Sequence, residues 1–321
     1  MSALNLHLKP DGDDPHEVHG DFTIWKAFQV LNEYLDPTAD ASHSLDEAFA
    51  LLYAMLPKKT IKSSHAEDGM FVLIWDIAEQ IPYSHPAQEK LLALYQRLAE
   101  SDKIVHPEDP TETLEGTQEF AHSSTLLWAF EDKSEAQGVV NACAFYARLE
   151  AAGLTSLAIS RIYAFQDYLE NKPLAKDVEF PQDANYTIAV CAMWVLYDGD
   201  AFFRLLTAPD NREALERLRA GTRALVKLED WDKWQRAFAL RAETAVFSEE
   251  ARDLARRAAE HMAALASEYQ KGGGLESASG SAAVASEDQK GEGSDVASTS
   301  RDARVMKGAS RVLKWLRAKR T

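Results

Sequence analysis

A phenol and an imidazole two residues apart, Tyr83 and His85, give this chain its first candidate for acid–base chemistry. They lie in Ile81-Pro82-Tyr83-Ser84-His85-Pro86-Ala87-Gln88-Glu89-Lys90-Leu91, at a joint between two expected helices. The same residues have a structural use. Pro82 halts the helix that ends near Ile81, His85 falls at the N-cap of the next, Pro86 at its first position, and Gln88 at N3 of a weak capping box. Trp231 and Trp234, in Asp230-Trp231-Asp232-Lys233-Trp234, could line a ligand groove, although aromatics at i, i+3 more often face a core. Tyr83, His85, Trp231 and Trp234 are the candidates for an inter-helix pocket.

His16 and His19, behind Asp11, Asp13 and Asp14, are of types that collect a divalent metal, against the alternative of a solvated terminus. Asp198-Gly199-Asp200 looks like a carboxylate loop for a hard cation. An EF-hand needs further acids at fixed spacing, so the expectation is that Gly199 ends one helix and Asp200 caps the next. His122 and His261 read as surface or packing residues. Arg252, Arg256 and Arg257, after Glu249 and Glu250, read as an ion-paired, solvated helix face. Walker-type, dinucleotide-binding, Gly-x-Ser-x-Gly, His-Glu-x-x-His and Cys-x-x-Cys motifs are absent. No catalytic, cofactor-binding or metal-ligating residue is therefore assigned, and no cofactor is expected.

The elements that would position these residues read as helices throughout 21–270, with apolar residues recurring near every 3.6 positions and no alternating strand. Expected helices run about Phe22–Leu35, with Phe22 and Trp25 inward; from Ser44 to before Pro57, opened by the Ser44–Glu47 capping box; Gly69–Gln80; Pro86–Ser101; and Gln118–Phe130. Others run Glu135–Ala152, closed by Gly153; Ser156–Asn171; Ala184–Tyr197; Ala201–Leu206; Glu213–Leu228; Trp231–Phe247; and Glu249–Gln270. The expected architecture is all-α: one irregular multi-helix domain over 21–270 behind a flexible N-terminus, 1–20. Cys143 and Cys191, both in apolar runs, read as small core residues.

Composition changes at Lys271. Residues 271–300 are rich in Gly, Ser and acids and read as a disordered linker. Residues 301–321 then read as a basic amphipathic helix, with Arg304, Lys307, Arg311 and Lys314 in one stripe and Trp315 and Arg317 beyond. That segment nets +7, so the formal −16 of the whole chain leaves −23 on residues 1–300. An acidic body argues against generic nucleic-acid binding. The terminal helix suits an acidic protein groove, an anionic membrane surface, an import receptor, or a return onto its own body. Deleting residues 271–321 is expected to leave the body folded. A melting temperature lower by several degrees would instead indicate docking on the body. The N-terminus lacks an apolar signal region and no stretch is long enough to span a bilayer, so the expected location is cytoplasmic or nuclear.

The Ile81–Leu91 segment, preceded by an apolar helix with Trp75 and followed by Leu94 and Leu98, resembles an uncharacterised, all-helical family of filamentous ascomycete fungi catalogued as a domain of unknown function. The resemblance spans about residues 70–265 and implies a helical fold. It carries over no catalytic residue. The expected function is a non-enzymatic, intracellular protein–protein interaction or scaffold role. The alternative is a helical enzyme or small-molecule-binding domain with a pocket between helices.

Overall fold

The computed structural model describes residues 4–8, 14–36, 42–57, 65–104, 136–154, 162, 164–170, 181–207 and 228–271. The expected helix at Gln118–Phe130, all but the last residue of the one at Glu213–Leu228, the linker and the basic terminal segment lie outside them. The described residues form an all-α protein: α1 (Ile24–Leu35), α2 (Leu45–Met55), α3 (His65–Gln80), α4 (Ala87–Ala99), α5 (Ala136–Ala151), a π-helical turn (Gln166–Glu170), α6 (Pro181–Thr207), α7 (Leu228–Ala242) and α8 (Glu249–Lys271). The chain divides into two compact units, Met1–Met262 and Ala263–Thr321, and the described part of the second is the C-terminal end of α8.

Local signals set many of the helix ends. Ser44 and Glu47 form the expected capping box, each side chain bonding the other's backbone N–H. Gly153 ends α5 at φ +72°, and Gly153 N–H to Glu150 O with Leu154 N–H to Leu149 O, both 2.9 Å, complete a Schellman closure. No atom lies within 4 Å of a Cβ placed there, so Gly153→Ala carries backbone strain alone. It should cost about 1 kcal/mol in a denaturant melt, and Gly153→Asn less.

Elsewhere packing overrides the local signal. Phe22 is buried, but Trp25 is 38% exposed, beside the rings of His16 and Phe28. The α1 core stripe is centred on Ala27 and Leu31, and at 3.6 residues per turn Trp25 points about 160° away from Ala27. α3 begins at His65 rather than Gly69. Gly69 is a packing slot inside it, where a Cβ would sit 3.0 Å from the Phe22 ring.

The largest correction concerns Gly199. One helix, Pro181–Thr207, runs straight through Asp198-Gly199-Asp200, so Gly199 ends nothing and Asp200 caps nothing. A mid-helix Gly costs about 1 kcal/mol. Burying Trp194, Val195, Phe202 and Phe203 on both sides of it offsets that several times over, at roughly 1.5–3 kcal/mol per large side chain. Residues expected to continue a regular helix after Phe165 widen instead into the π turn, and the Leu169 carbonyl accepts from Arg241 of α7. α7 stops at Ala242 rather than Phe247: Thr244 folds back onto the Leu240 carbonyl, which turns Phe247 into the core.

α5 is the central helix. Twelve of its sixteen residues are buried, the pattern of a helix enclosed on all sides. It packs on α3, α4 and α6, while α7 and α6 enclose the π turn. Two aromatic clusters result. Trp75, Tyr95, Phe145 and Tyr146 meet between α3, α4 and α5; Phe165, Phe202, Trp231, Trp234 and Phe238 meet around the π turn. No described helix is long and apolar enough to cross a membrane.

Candidate functional site

The joint between α3 and α4 is built from backbone groups that a change of direction would otherwise strand. His85 N–H turns back to Pro82 O at 2.8 Å, and Pro86 sits at φ −58° and ψ −21°, already helical. The N-cap position of α4 is Pro86 rather than His85, one residue later than expected. The His85 side chain still serves the helix start: its Nδ1 accepts from Ala87 N–H at 3.1 Å. Gln88 departs from the expected capping box. It is fully buried, and its Nε2 donates to Ile81 O, Ala78 O and Asn141 O at 2.9, 3.2 and 3.4 Å. A side chain expected to close the start of one helix ties off the end of another.

Two polar residues of α5 complete the joint. Asn141 donates to Glu79 O and accepts from Tyr83 N–H. Arg148, 8% exposed, donates through Nε to Glu89 at 2.6 Å and through its two terminal nitrogens to Ala144 O and Tyr83 O at 3.0 Å. Its guanidinium lies 3.5 Å from the centre of the Tyr197 ring. Tyr83 is thus held at every polar group. Its N–H goes to Asn141, its C=O receives Arg148 and Tyr197, and its O–H donates to Glu250 Oε1 of α8 at 3.0 Å. The phenol and His85 therefore have different partners, 167 residues separating Tyr83 from Glu250.

Burial first, then the hydrogen bond to Glu250, push the Tyr83 phenol up to about 12. The neutral phenol is the form the fold favours, so its contribution to stability is complete below pH 10 and is lost as pH rises from 10 to 12. In a spectrophotometric titration, one tyrosine should ionise near 12, and Tyr83→Phe should remove that step. A Tyr83 that titrates at the ordinary phenol value of about 10 would rule out the contact with Glu250.

Beside Glu250 lies a cleft of about 190 Å³ between α5, α6 and the start of α8, with Gln137, Val140, Asn185, Glu250 and Leu254 in its wall. Asn185 Oδ1 accepts from Ser248 N–H at 2.9 Å, which fixes how α8 begins.

The other candidates sit apart. Trp231 and Trp234 are buried in the second aromatic cluster, their indole N–H groups donating to Met262 O at 3.2 Å and Glu170 Oε1 at 2.7 Å. His16 packs on Trp25, and His19 lies 3.7 Å from Glu17; Asp11 and Asp13 fall outside the described residues. Among the described residues no three metal-binding side chains converge. Asp198 is buried, whereas Asp200 is exposed and lies 3.3 Å from His261 Nε2. Arg256 and Arg257 pair with Asp253 rather than with Glu249 or Glu250. Cys143 and Cys191 are buried, Cys191 Sγ donating to Ala164 O at 3.5 Å, and burial pushes the Cys143 thiol up, away from reactivity. His122, Arg304, Lys307, Arg311, Lys314, Trp315 and Arg317 lie outside the described residues.

Sequence reasoning missed Asn141 and Arg148. Their signal was present: two polar residues seven apart on one face, within the otherwise apolar run Val139–Leu149.

Residues 71–238 match the family DUF3632, described as a protein of unknown function. The chain belongs to DUF3632. The DUF3632 match contains the whole joint, both aromatic clusters' tryptophans and Arg148, and it stops within α7, short of the residue 265 expected from the motif. Glu250 lies beyond it. No curated protein and no solved structure matches the chain.

Proposed function

We propose that this DUF3632 chain is a non-enzymatic helical interaction protein. Its body acts as a rigid platform, and Arg304, Lys307, Arg311, Lys314, Trp315 and Arg317 form a basic contact for an acidic protein surface. The state of Tyr83 carries this reading: the residue best placed for acid–base work has its N–H, C=O and O–H all engaged in holding five helices together. Size adds support. The cleft beside Glu250, at about 190 Å³, falls below the roughly 300–1,000 Å³ of pockets that enclose a metabolite.

Charge reversal tests the reading. Affinity purification of the full chain should recover a stoichiometric partner that is lost when Arg304, Lys307, Arg311 and Lys314 are changed to Glu. Incubation of the chain with a metabolite extract should leave every metabolite unchanged. Catalytic consumption of one of them, abolished by Glu250→Gln, would replace this reading with the enzyme alternative.

A further inference from the structure

Residues 4–8, Leu4-Asn5-Leu6-His7-Leu8, meet the C-terminal end of α3 at Gln80. The Gln80 carboxamide engages both polar groups of one main-chain residue. Its Oε1 accepts from His7 N–H at 2.8 Å, and its Nε2 donates to His7 O at 2.9 Å. Nε2 also donates to Asp76 O, one turn back along the helix, at 2.9 Å. That bond fixes which way the carboxamide faces, so a donor and an acceptor stand side by side at the helix end. The N–H and C=O of one residue in an extended chain point to the same side and fit such a pair. Burial follows the same conformation: Leu4, Leu6 and Leu8 are partly buried and Asn5 and His7 exposed, the period of two of an extended chain. The joint holds this helix end from its other side, where Glu79 O accepts from Asn141 and Ile81 O from Gln88. Gln80 therefore stands on fixed backbone.

We propose that the Gln80 end of α3 is a docking site for an extended partner peptide with apolar side chains at alternate positions, and that residues 4–8 occupy it in the partner's place. This rests on the interaction reading above and gives the partner a conformation and a pattern. Gln80 grips the main chain, so the grip itself does not depend on which residue it holds. Selection falls to the alternate apolar side chains, the division of labour seen when a peptide adds to a sheet edge. Gln80 lies within the DUF3632 match and residues 4–8 lie before it, so the site belongs to the shared domain and its present occupant does not. An occupant carried on the same chain competes at an effective concentration on the order of millimolar. Partner binding and release of residues 4–8 therefore occur together.

The test is fluorescence anisotropy of labelled peptides against the full chain. The first probe is Ser-Ala-Leu-Asn-Leu-His-Leu-Lys, the sequence of residues 2–9. The second, Ser-Ala-Val-Ser-Ile-Thr-Leu-Lys, keeps only the alternation. Both should bind the chain carrying Leu4→Ser, Leu6→Ser and Leu8→Ser about tenfold or more tightly than the parent chain, because the competitor is weakened. In that background Gln80→Ala should weaken both about tenfold, as loss of two neutral hydrogen bonds does. Methylating the backbone nitrogen of the first probe's histidine removes the donor to Gln80 and should weaken it similarly, with the protein untouched. If Gln80→Ala lowers the melting temperature, the methylated probe decides alone. Equal affinity for the parent and the triple variant would overturn the proposal, as would indifference to methylation or equal binding of a probe with serine at its three leucines. Binding of the first probe without the second would confine the site to the chain's own segment. A dimer of the parent chain that the triple variant loses would give the site to a second copy. Either result overturns the partner reading. No arm of the test touches residues 301–321, so failure here and failure of the interaction reading are separately visible.

Discussion

Trp234→Ala should be the most damaging single substitution in the described fold, with a loss of about 4 kcal/mol in denaturant melts. Trp234 is fully buried, its ring lies 4.8 Å from that of Phe165 and 6.0 Å from that of Phe202, and its indole N–H donates to Glu170. Removing it opens a cavity beside the π turn and leaves Lys233 as the remaining partner of Glu170 among the described residues. The fall in melting temperature should be on the order of 10 °C. Trp234→Phe separates the two contributions: the ring contacts survive, the hydrogen bond is lost, and the cost should shrink to about 1–2 kcal/mol. A Trp234→Ala variant within about 1 kcal/mol of the parent would show that the second aromatic cluster is not a core.

Arg148→Met should come next, at about 3 kcal/mol, because two buried carbonyls lose a charged donor together. Its partner Glu89 is 63% exposed, so the ion pair itself adds little, and Glu89→Gln should cost under about 1 kcal/mol. Arg148→Lys should fall between, since an ammonium can neither fork to Tyr83 O and Ala144 O nor stack on Tyr197. The Tyr83 amide, whose acceptor is Asn141, should exchange faster in Arg148→Met while amides of α2 stay protected. If Glu89→Gln proves as damaging as Arg148→Met, the ion pair rather than the grip on the two carbonyls holds the joint.

Both predictions concern residues that a linear reading treats unequally. Trp234 was legible as core, since an aromatic at helical spacing between polar neighbours has few other uses. Arg148 was not, because what holds it is 59 to 65 residues away along the chain, at Glu89 and Tyr83. Gln88 fails for the same reason. Its position three residues after His85 suggests a cap, but the carbonyls of Ala78, Ile81 and Asn141 converge where its amide lies, and a buried carbonyl without a donor costs more than an exposed helix start. The cleft was legible only as an expectation that some inter-helix pocket exists. Its carboxylate is brought to Tyr83 across 167 residues, a distance over which no local pattern speaks.

By itself, the sequence determined what acts within one helical turn. The capping box at Ser44, the αL stop at Gly153, the preset turn at Pro86 and the all-α class all follow from i, i+3 and i, i+4 relations, where the groups that interact are also neighbours in the chain. Tertiary structure alone decided whether Gly199 would break a helix, which way Trp25 would face, and what Tyr83 would touch. In each case the local preference is worth about 1 kcal/mol, and the surface buried by distant partners is worth several times as much.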